Sequence, residues 1–251
     1  MIPADLAAAI ATPGLIWIAA GALVAGCVRG FSGFGAALVF LPVAGGFLSP
    51  LWALIVLTVM DVFGPLPTLR RTVPQARLTD VALLWAGMAV ALPIGLWLLL
   101  QLDPAVFRYL VSFAGIAVVA ILIAGFRYHG PMTPPVMLGT GAMSGFLGGV
   151  AGVPGPPVIL LFMASPSPPS LVRANTMLFL FLFDITLLAL IAWQGELSAV
   201  PMWIGALVAV PTMIGTWIGS AIFDPNRAGL YRAAGYGIVL ASALRGLPIW
   251  G

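Results

Sequence analysis

The chain has 251 residues, of which 62% are hydrophobic and only 7% are charged. Soluble domains carry about 25% charged residues, so seven acidic and ten basic side chains cannot cover a soluble surface of this size. The composition, with a mean hydropathy of +1.15, excludes a soluble enzyme, a disordered chain and a nucleic-acid-binding domain. It predicts an all-α polytopic integral membrane protein.

Gaps between charged residues, together with Gly/Pro breaks, divide the chain into ten apolar segments. In lipid every backbone polar group must be satisfied within its own segment, so these segments are predicted to be helices. The first five lie at about 14–28, 34–48, 51–69, 80–101 and 106–126, and the second five at about 134–149, 153–165, 171–193, 198–222 and 229–248.

The two sets of five segments resemble each other, which indicates an internal duplication. GMAVALP at 87–93 is similar to GALVAVP at 205–211, at an offset of 118, and GFGAALVFLP at 33–42 aligns with GVPGPPVILL at 152–161, at an offset of 119. Each third segment carries one aspartate near its middle, Asp61 and Asp184. Residues 1–128 and 129–251 are therefore predicted to be two membrane repeats of one transport unit, with its site at the repeat interface.

The positions of the arginines give the predicted orientation across the membrane. All ten basic residues of the chain are arginine. Arg70, Arg71 and Arg77 follow the third segment, and the positive-inside rule places that loop in the cytoplasm. The corresponding loop of the second half, near 194–196, is acidic. Since five segments is an odd number, the second repeat would be inverted and both termini would face outward. Inverted repeats are a recurrent plan of secondary transporters.

Each repeat is predicted to open with a broken or re-entrant helical hairpin. Its first two segments hold roughly 15 residues each, which reach roughly 22 Å, less than the ~30 Å hydrocarbon core. Glycines and prolines link them, and freed N–H groups at such helix ends favour an anion. Close helix packing is the alternative role for these small residues. The residues predicted to bind substrate are Arg29, Gly30, Phe31, Ser32, Gly33, Phe34, Gly35, Gly148, Gly149, Gly152, Val153, Pro154, Gly155 and Pro156.

Arg29 is the charged candidate at the first predicted turn. Its planar fork of donors suits a sulfonate, sulfite or carboxylate group. A snorkelling arginine, or one paired with an aspartate, is the structural alternative. Asp61 and Asp184 are candidates either to carry a coupling proton or to pair with an arginine. Arg173 and Asn175 join them as candidates for coupling or structural roles.

Two motifs resemble the TauE/SafE family of sulfite exporters. RGFSGFGAALVFLP at 29–42 and GFLGGVAGVPGPPVILL at 145–161 are similar to the duplicated glycine-rich signature of that family. The resemblance covers essentially the whole chain, although Pro154 and Gly155 stand where many relatives have consecutive glycines. It implies a carrier of the bacterial inner membrane that moves sulfite, sulfoacetate or another organosulfonate.

The sequence and the resemblance together predict a secondary transporter that exports a small sulfur-containing anion by alternating access. Two alternatives stay open: an importer of a related organic or sulfur anion coupled to protons, and a membrane subunit or enzyme without transport activity. One histidine and one cysteine supply neither a metal site nor a nucleophile–base set, so no enzyme, metal or cofactor is expected. The expected partners are the anion and the lipid bilayer, without nucleic acid, while a coupling proton and a homodimer stay open.

Overall fold

The computed structural model describes residues 3–32, 35–63, 70, 72–125, 128, 130–163, 167–222 and 228–248, with the side chains of residues 31, 32, 163, 169, 228, 229 and 232 excepted. These residues form α-helices, one short 3-10 turn at Val73–Gln75 and no strand. The predicted all-α class is confirmed for this part of the chain.

Eleven α-helices are present in the described residues. The first half contains α1 (Ala4–Ile10), α2 (Leu15–Ser32), α3 (Ala36–Ala44), α4 (Pro50–Phe63), α5 (Leu78–Gln101) and α6 (Pro104–Ile123). The second half contains α7 (Pro134–Ala151), α8 (Gly155–Met163), α9 (Pro169–Trp193), α10 (Ala199–Ala221) and α11 (Ala228–Gly246). The ten predicted segments correspond to α2–α11, and residues 64–69 of the third segment lie outside the described residues. Helix α1 was not predicted.

Four of the described helices are long and apolar enough to cross a membrane: Leu78–Gln101, Pro104–Ile123, Ser170–Trp193 and Ala199–Ala221. A fifth span results if α1 and α2 count as one, although they meet at an angle of 78°. The chain is therefore a multi-pass membrane protein.

The hairpin segments differ in length from the prediction. Helices α2 and α7 each have 18 residues, whereas α3 and α8 each have 9. At 1.5 Å per residue these lengths correspond to roughly 27 Å and roughly 14 Å. Helices α2 and α7 are therefore longer than the predicted first segments, and α3 is shorter than the predicted second segment. Residues 164–166, which follow α8, lie outside the described residues.

Contacts divide the chain into two compact units. Unit 1 comprises Met1–Met60, Leu102–Ala120 and Leu197–Gly251, and unit 2 comprises Asp61–Gln101 and Ile121–Glu196. Each unit therefore contains segments from both halves of the sequence.

In unit 1, α2 packs along α10 and forms a hairpin with α3, while α11 packs on α3 and α2 and α1 rests on α10. Phe40 and Phe107 are among the largest fully buried side chains of its core. Arg108 of α6 donates from Nε to the carbonyl oxygen of Gly246 (3.0 Å) and from Nη2 to that of Leu247 (3.4 Å). A cation therefore lies at the carboxyl end of α11, where the helix dipole favours one.

In unit 2, α5 packs along α7, α7 forms a hairpin with α8, and α9 packs on α5 and α8. Leu84, Met88 and Leu92 of α5 are fully buried. Trp85 Nε1 donates to Thr186 Oγ1 at 3.0 Å, which links α5 to α9. The 3-10 turn also packs on α9, so the linker that precedes α5 is held against the same helix.

The two units share one packing pattern, in which the fourth predicted segment of one half lies on the first predicted segment of the other. These pairs are α10 with α2 in unit 1 and α5 with α7 in unit 2. An ideal Cβ on Gly26 would lie 2.2 Å from the carbonyl oxygen of Thr212, and one on Gly145 would lie 2.4 Å from that of Met88. Gly145 follows Gly26 by 119 positions, which is the offset between the two hairpin motifs in the sequence. Glycines at equivalent positions of the two hairpins therefore make equivalent backbone contacts.

A second close contact, further along each of the two helix pairs, follows the same pattern. An ideal Cβ on Gly219 of α10 would lie 2.2 Å from the carbonyl oxygen of Cys27, and one on Gly95 of α5 would lie 2.4 Å from that of Phe146. Cys27 and Phe146 are again 119 positions apart, but Gly95 and Gly219 are 124 apart.

The motif alignment in the fourth segments does not identify equivalent packing positions. Gly87 approaches the backbone of Leu138 in α7, whereas Gly205 approaches Val59 in α4. The 118-residue offset of GMAVALP and GALVAVP therefore differs by six residues from the offset of the glycines that make matching contacts.

Candidate functional site

The first predicted binding region is the turn between α2 and α3 in unit 1. Arg29 is partly buried in the last turn of α2. Its neighbour Gly30 packs closely, since an ideal Cβ there would lie 2.4 Å from the carbonyl oxygen of Thr216 in α10. Gly35 has a φ of +90° and directly precedes α3, so a residue without Cβ suits this position.

Part of this turn lies outside the described residues. Gly33 and Phe34, and the side chains of Phe31 and Ser32, lie outside the described residues.

The second predicted binding region is the turn between α7 and α8 in unit 2. Gly152 ends α7 with a φ of +67°. Its N–H donates to the carbonyl oxygen of Gly148 (2.9 Å), and the N–H of Val153 donates to that of Leu147 (3.4 Å). A left-handed glycine with such bonds is a common way to end a helix. The break predicted between the segments at about 134–149 and 153–165 thus includes Gly152.

A buried hydrogen bond fixes the second turn from the α7 side. Ser144 Oγ donates to the carbonyl oxygen of Pro154 at 2.6 Å, and both residues are buried. Sequence analysis missed Ser144. The hydroxyl of Ser144 lies within an apolar segment and could have indicated this contact, because polar side chains inside membrane helices usually have a specific partner.

The glycines before this turn lie against neighbouring helices. An ideal Cβ on Gly148 would lie 2.3 Å from the ring of Phe183 in α9, and one on Gly149 would lie 2.7 Å from the carbonyl oxygen of Leu92 in α5. Helix packing thus accounts for the small size of both residues. Gly155 and Pro156, at the start of α8, are partly exposed.

The two predicted acidic candidates are both buried, each with 8% of its surface exposed. Asp184 lies well inside α9. Asp61 lies in the last described turn of α4 (Pro50–Phe63), and residues 64–69 of its predicted segment lie outside the described residues. Arg173 lies at the surface, one turn into α9.

Asn175 is fully buried on α9. Its Oδ1 accepts a hydrogen bond from the backbone N–H of Arg77 at 2.8 Å. Close by, Thr72 Oγ1 donates to Met177 Sδ at 3.4 Å. The linker between α4 and α5 is thus tied to α9. Sequence spacing gives no signal for this contact, because Arg77 and Asn175 are 98 positions apart.

The described helices and the two glycine-bounded hairpins define a multi-pass helical membrane protein with one hairpin in each unit. A family model, Sulfite exporter TauE/SafE, matches residues 18–246 of the chain. The chain therefore belongs to the TauE/SafE sulfite exporter family, and this membership implies a membrane transporter of sulfite or related anions. No match was found among curated proteins or among solved structures.

Proposed function

We propose that this protein exports a small sulfur-containing anion, such as sulfite, sulfoacetate or another organosulfonate, across the bacterial cytoplasmic membrane by alternating access. The family match over residues 18–246 is the observation that carries this proposal. One charge gains about 2.3 kcal/mol per 100 mV of membrane potential. An anion that leaves a cell with a negative interior moves down that gradient, so export requires no coupled ion.

The matched helix crossings support a mechanism built from two repeats. Each unit holds one hairpin, α2–α3 or α7–α8, against a long helix from the other half of the chain. Transporters assembled from inverted repeats use such paired elements for alternating access. We accordingly keep residues 1–128 and 129–251 as the two repeats of one transport unit.

Contacts within each unit agree with the proposed orientation. In unit 2, Arg77 meets Asn175 near the start of α9, and both positions are expected on the cytoplasmic side. In unit 1, Arg108 of α6 meets the end of α11 at Gly246, and both positions are expected outside. An inverted second repeat places each pair on one side of the membrane.

We assign the main anion contacts to the first hairpin turn. Helix α3 begins at Ala36, and its first backbone N–H groups have no acceptor within the helix itself. Such donors favour an anion at a helix N-terminus, and Arg29 adds a guanidinium at the end of the preceding helix. In the second turn, Pro156 and Pro157 follow the first residue of α8 and provide no N–H donors. That turn is proposed to shape the site more than to bind charge.

Asp61 and Asp184 are the buried acids that would serve a coupled proton. Transport of an anion inward, against the potential, would require such coupling. Outward transport does not require it, and the two residues then have structural roles.

Arg29 provides the test of this site. Arg29→Lys keeps the charge but loses the planar fork of donors, so sulfite affinity should fall several-fold. Arg29→Ala removes a charged hydrogen-bond donor worth about 1.5–3 kcal/mol, so affinity should fall about 10- to 100-fold. Affinity is measured by titration of the purified variants with sulfite, alongside their unfolding temperatures.

Arg245 is the matched control, because it is an exposed arginine in the last turn of another helix, α11. Arg245→Ala should retain the wild-type affinity. Wild-type affinity in a folded Arg29→Ala protein would contradict the assignment of Arg29 to the site.

A further inference from the structure

The buried side-chain amide of Asn175 forms a hydrogen bond through its oxygen but not through its nitrogen within the described residues. Its Oδ1 accepts the backbone N–H of Arg77, whereas Nδ2 makes no hydrogen bond within the described residues. The whole residue is 0% exposed, and a buried donor without an acceptor destabilises a fold. An apolar side chain would avoid this cost, so the amide is suited to a ligand that brings an acceptor.

The surroundings of Asn175 favour an anionic acceptor. Arg77 meets the amide through its own backbone, and Arg173 precedes it by two positions on α9; both arginines are exposed. These are two of only ten basic residues in the chain. A neutral donor close in the chain to two arginine positions suits an oxyanion and disfavours a cation.

The amide also lies where a bound anion would meet the linker before α5. Helix α5 begins at Leu78, directly after Arg77, and the 3-10 turn Val73–Gln75 packs on α9. Asn175 Oδ1 therefore fixes the start of α5 relative to α9. This contact positions Nδ2 independently of the hairpin turns.

We propose that Asn175 Nδ2 donates a hydrogen bond to an oxygen of the transported oxyanion at the cytoplasmic end of unit 2, as an entry contact separate from the hairpin turns. The inference rests on the proposed function, because it names a further contact for the same substrate. A neutral amide suits an entry contact, since transport requires binding that is weak enough for release.

Asn175→Asp tests the donor with little change in shape. An aspartate keeps an oxygen that accepts the Arg77 N–H, but it replaces the Nδ2 donor with a second oxygen that repels an oxyanion. We expect the KM for sulfite transport in proteoliposomes to rise at least 10-fold, and the unfolding temperature of the same preparation shows whether the variant is folded.

Arg77→Pro tests the role of the amide oxygen, Oδ1, separately from that of Nδ2. It removes the N–H that Oδ1 accepts, and the preceding residue, Ala76, has the extended backbone (φ −85°, ψ 147°) that a proline tolerates after it. Arg77→Ala is its matched control for the lost charge. If Nδ2 binds the anion, Arg77→Pro should lower the unfolding temperature but keep the KM of Arg77→Ala within about threefold. Should Asn175→Asp fail to fold, Asn175→Ala compared with Arg77→Pro isolates the loss of Nδ2 in the same way.

Two outcomes overturn the inference while the proposed function stands. One is wild-type transport of sulfite with an unchanged KM in the folded Asn175 variant. The other is an equal rise in KM for the Asn175 variant and Arg77→Pro, which would assign the residue to the anchoring of α5 alone. If the wild-type protein transports no sulfur oxyanion, the proposed function fails, and the inference fails with it.

Discussion

The close contact of α7 with α5 predicts that Gly145→Ala destabilises the protein. An ideal Cβ at this position would lie 2.4 Å from the carbonyl oxygen of Met88 and 2.9 Å from its Cα. Both atoms belong to the backbone of α5, so no side-chain rotation relieves the clash and the two helices must separate. Overpacking of this kind costs about 1–3 kcal/mol.

Gly139→Ala is the matched control on the same helix. Gly139 is exposed, and an ideal Cβ there would meet nothing within 4 Å. Alanine also has a helix propensity better than that of glycine by about 0.8–1.0 kcal/mol, so this variant should be as stable as the wild type or more stable. Thermal unfolding in one detergent, followed by tryptophan fluorescence, should show Gly145→Ala several degrees below Gly139→Ala.

The equivalent position in unit 1 extends the test. An ideal Cβ on Gly26 would lie 2.2 Å from the carbonyl oxygen of Thr212, so Gly26→Ala should also lower the unfolding temperature by several degrees. Equal unfolding temperatures for Gly145→Ala and Gly139→Ala would refute the backbone contact. Destabilisation by only one of Gly145→Ala and Gly26→Ala would refute the equivalence of the two crossings.

Two further predictions concern polar contacts inside the units. Ser144→Ala removes the donor to the buried Pro154 carbonyl and should destabilise the protein by about 1–3 kcal/mol; an unfolding temperature equal to that of the wild type would show that the second turn does not depend on this bond. Arg108→Ala removes the cation from the end of α11 and should cost up to about 2 kcal/mol. Arg108→Lys should recover part of this loss, and an unchanged unfolding temperature in Arg108→Ala would contradict the capping role.

The helical segments could be predicted because long apolar runs in lipid have no alternative to a helix. Their partners could not be predicted in the same way. Helices that are apolar on all sides carry no stripe that identifies the packed face, so the pairing of α5 with α7 and of α10 with α2 was not visible. In the sequence, Gly145 is only one residue of a motif. The structure shows that the absence of a Cβ at Gly145 allows α7 to lie against the backbone of α5 at Met88.

The helix breaks at the two candidate turns could be predicted from the sequence. The paired glycine-rich turns were evident from their duplication, and Gly152 indeed ends a helix with a positive φ. Gly30 and Gly149 were predicted to bind substrate, and the structure gives each of them a close helix contact. The link between Arg77 and Asn175 joins residues that are far apart in sequence, and contacts of this kind depend on the packed fold.

The most direct test of the proposed function is sulfite flux from proteoliposomes that contain the purified wild-type protein, with the membrane potential clamped by a potassium gradient and valinomycin. We predict flux well above that of protein-free vesicles, with a rate that rises when the compartment from which sulfite leaves is made more negative and that needs no proton gradient. Flux equal to that of protein-free vesicles for sulfite, sulfoacetate and other organosulfonates alike, at every clamped potential, would contradict the proposal that this protein exports a sulfur-containing anion.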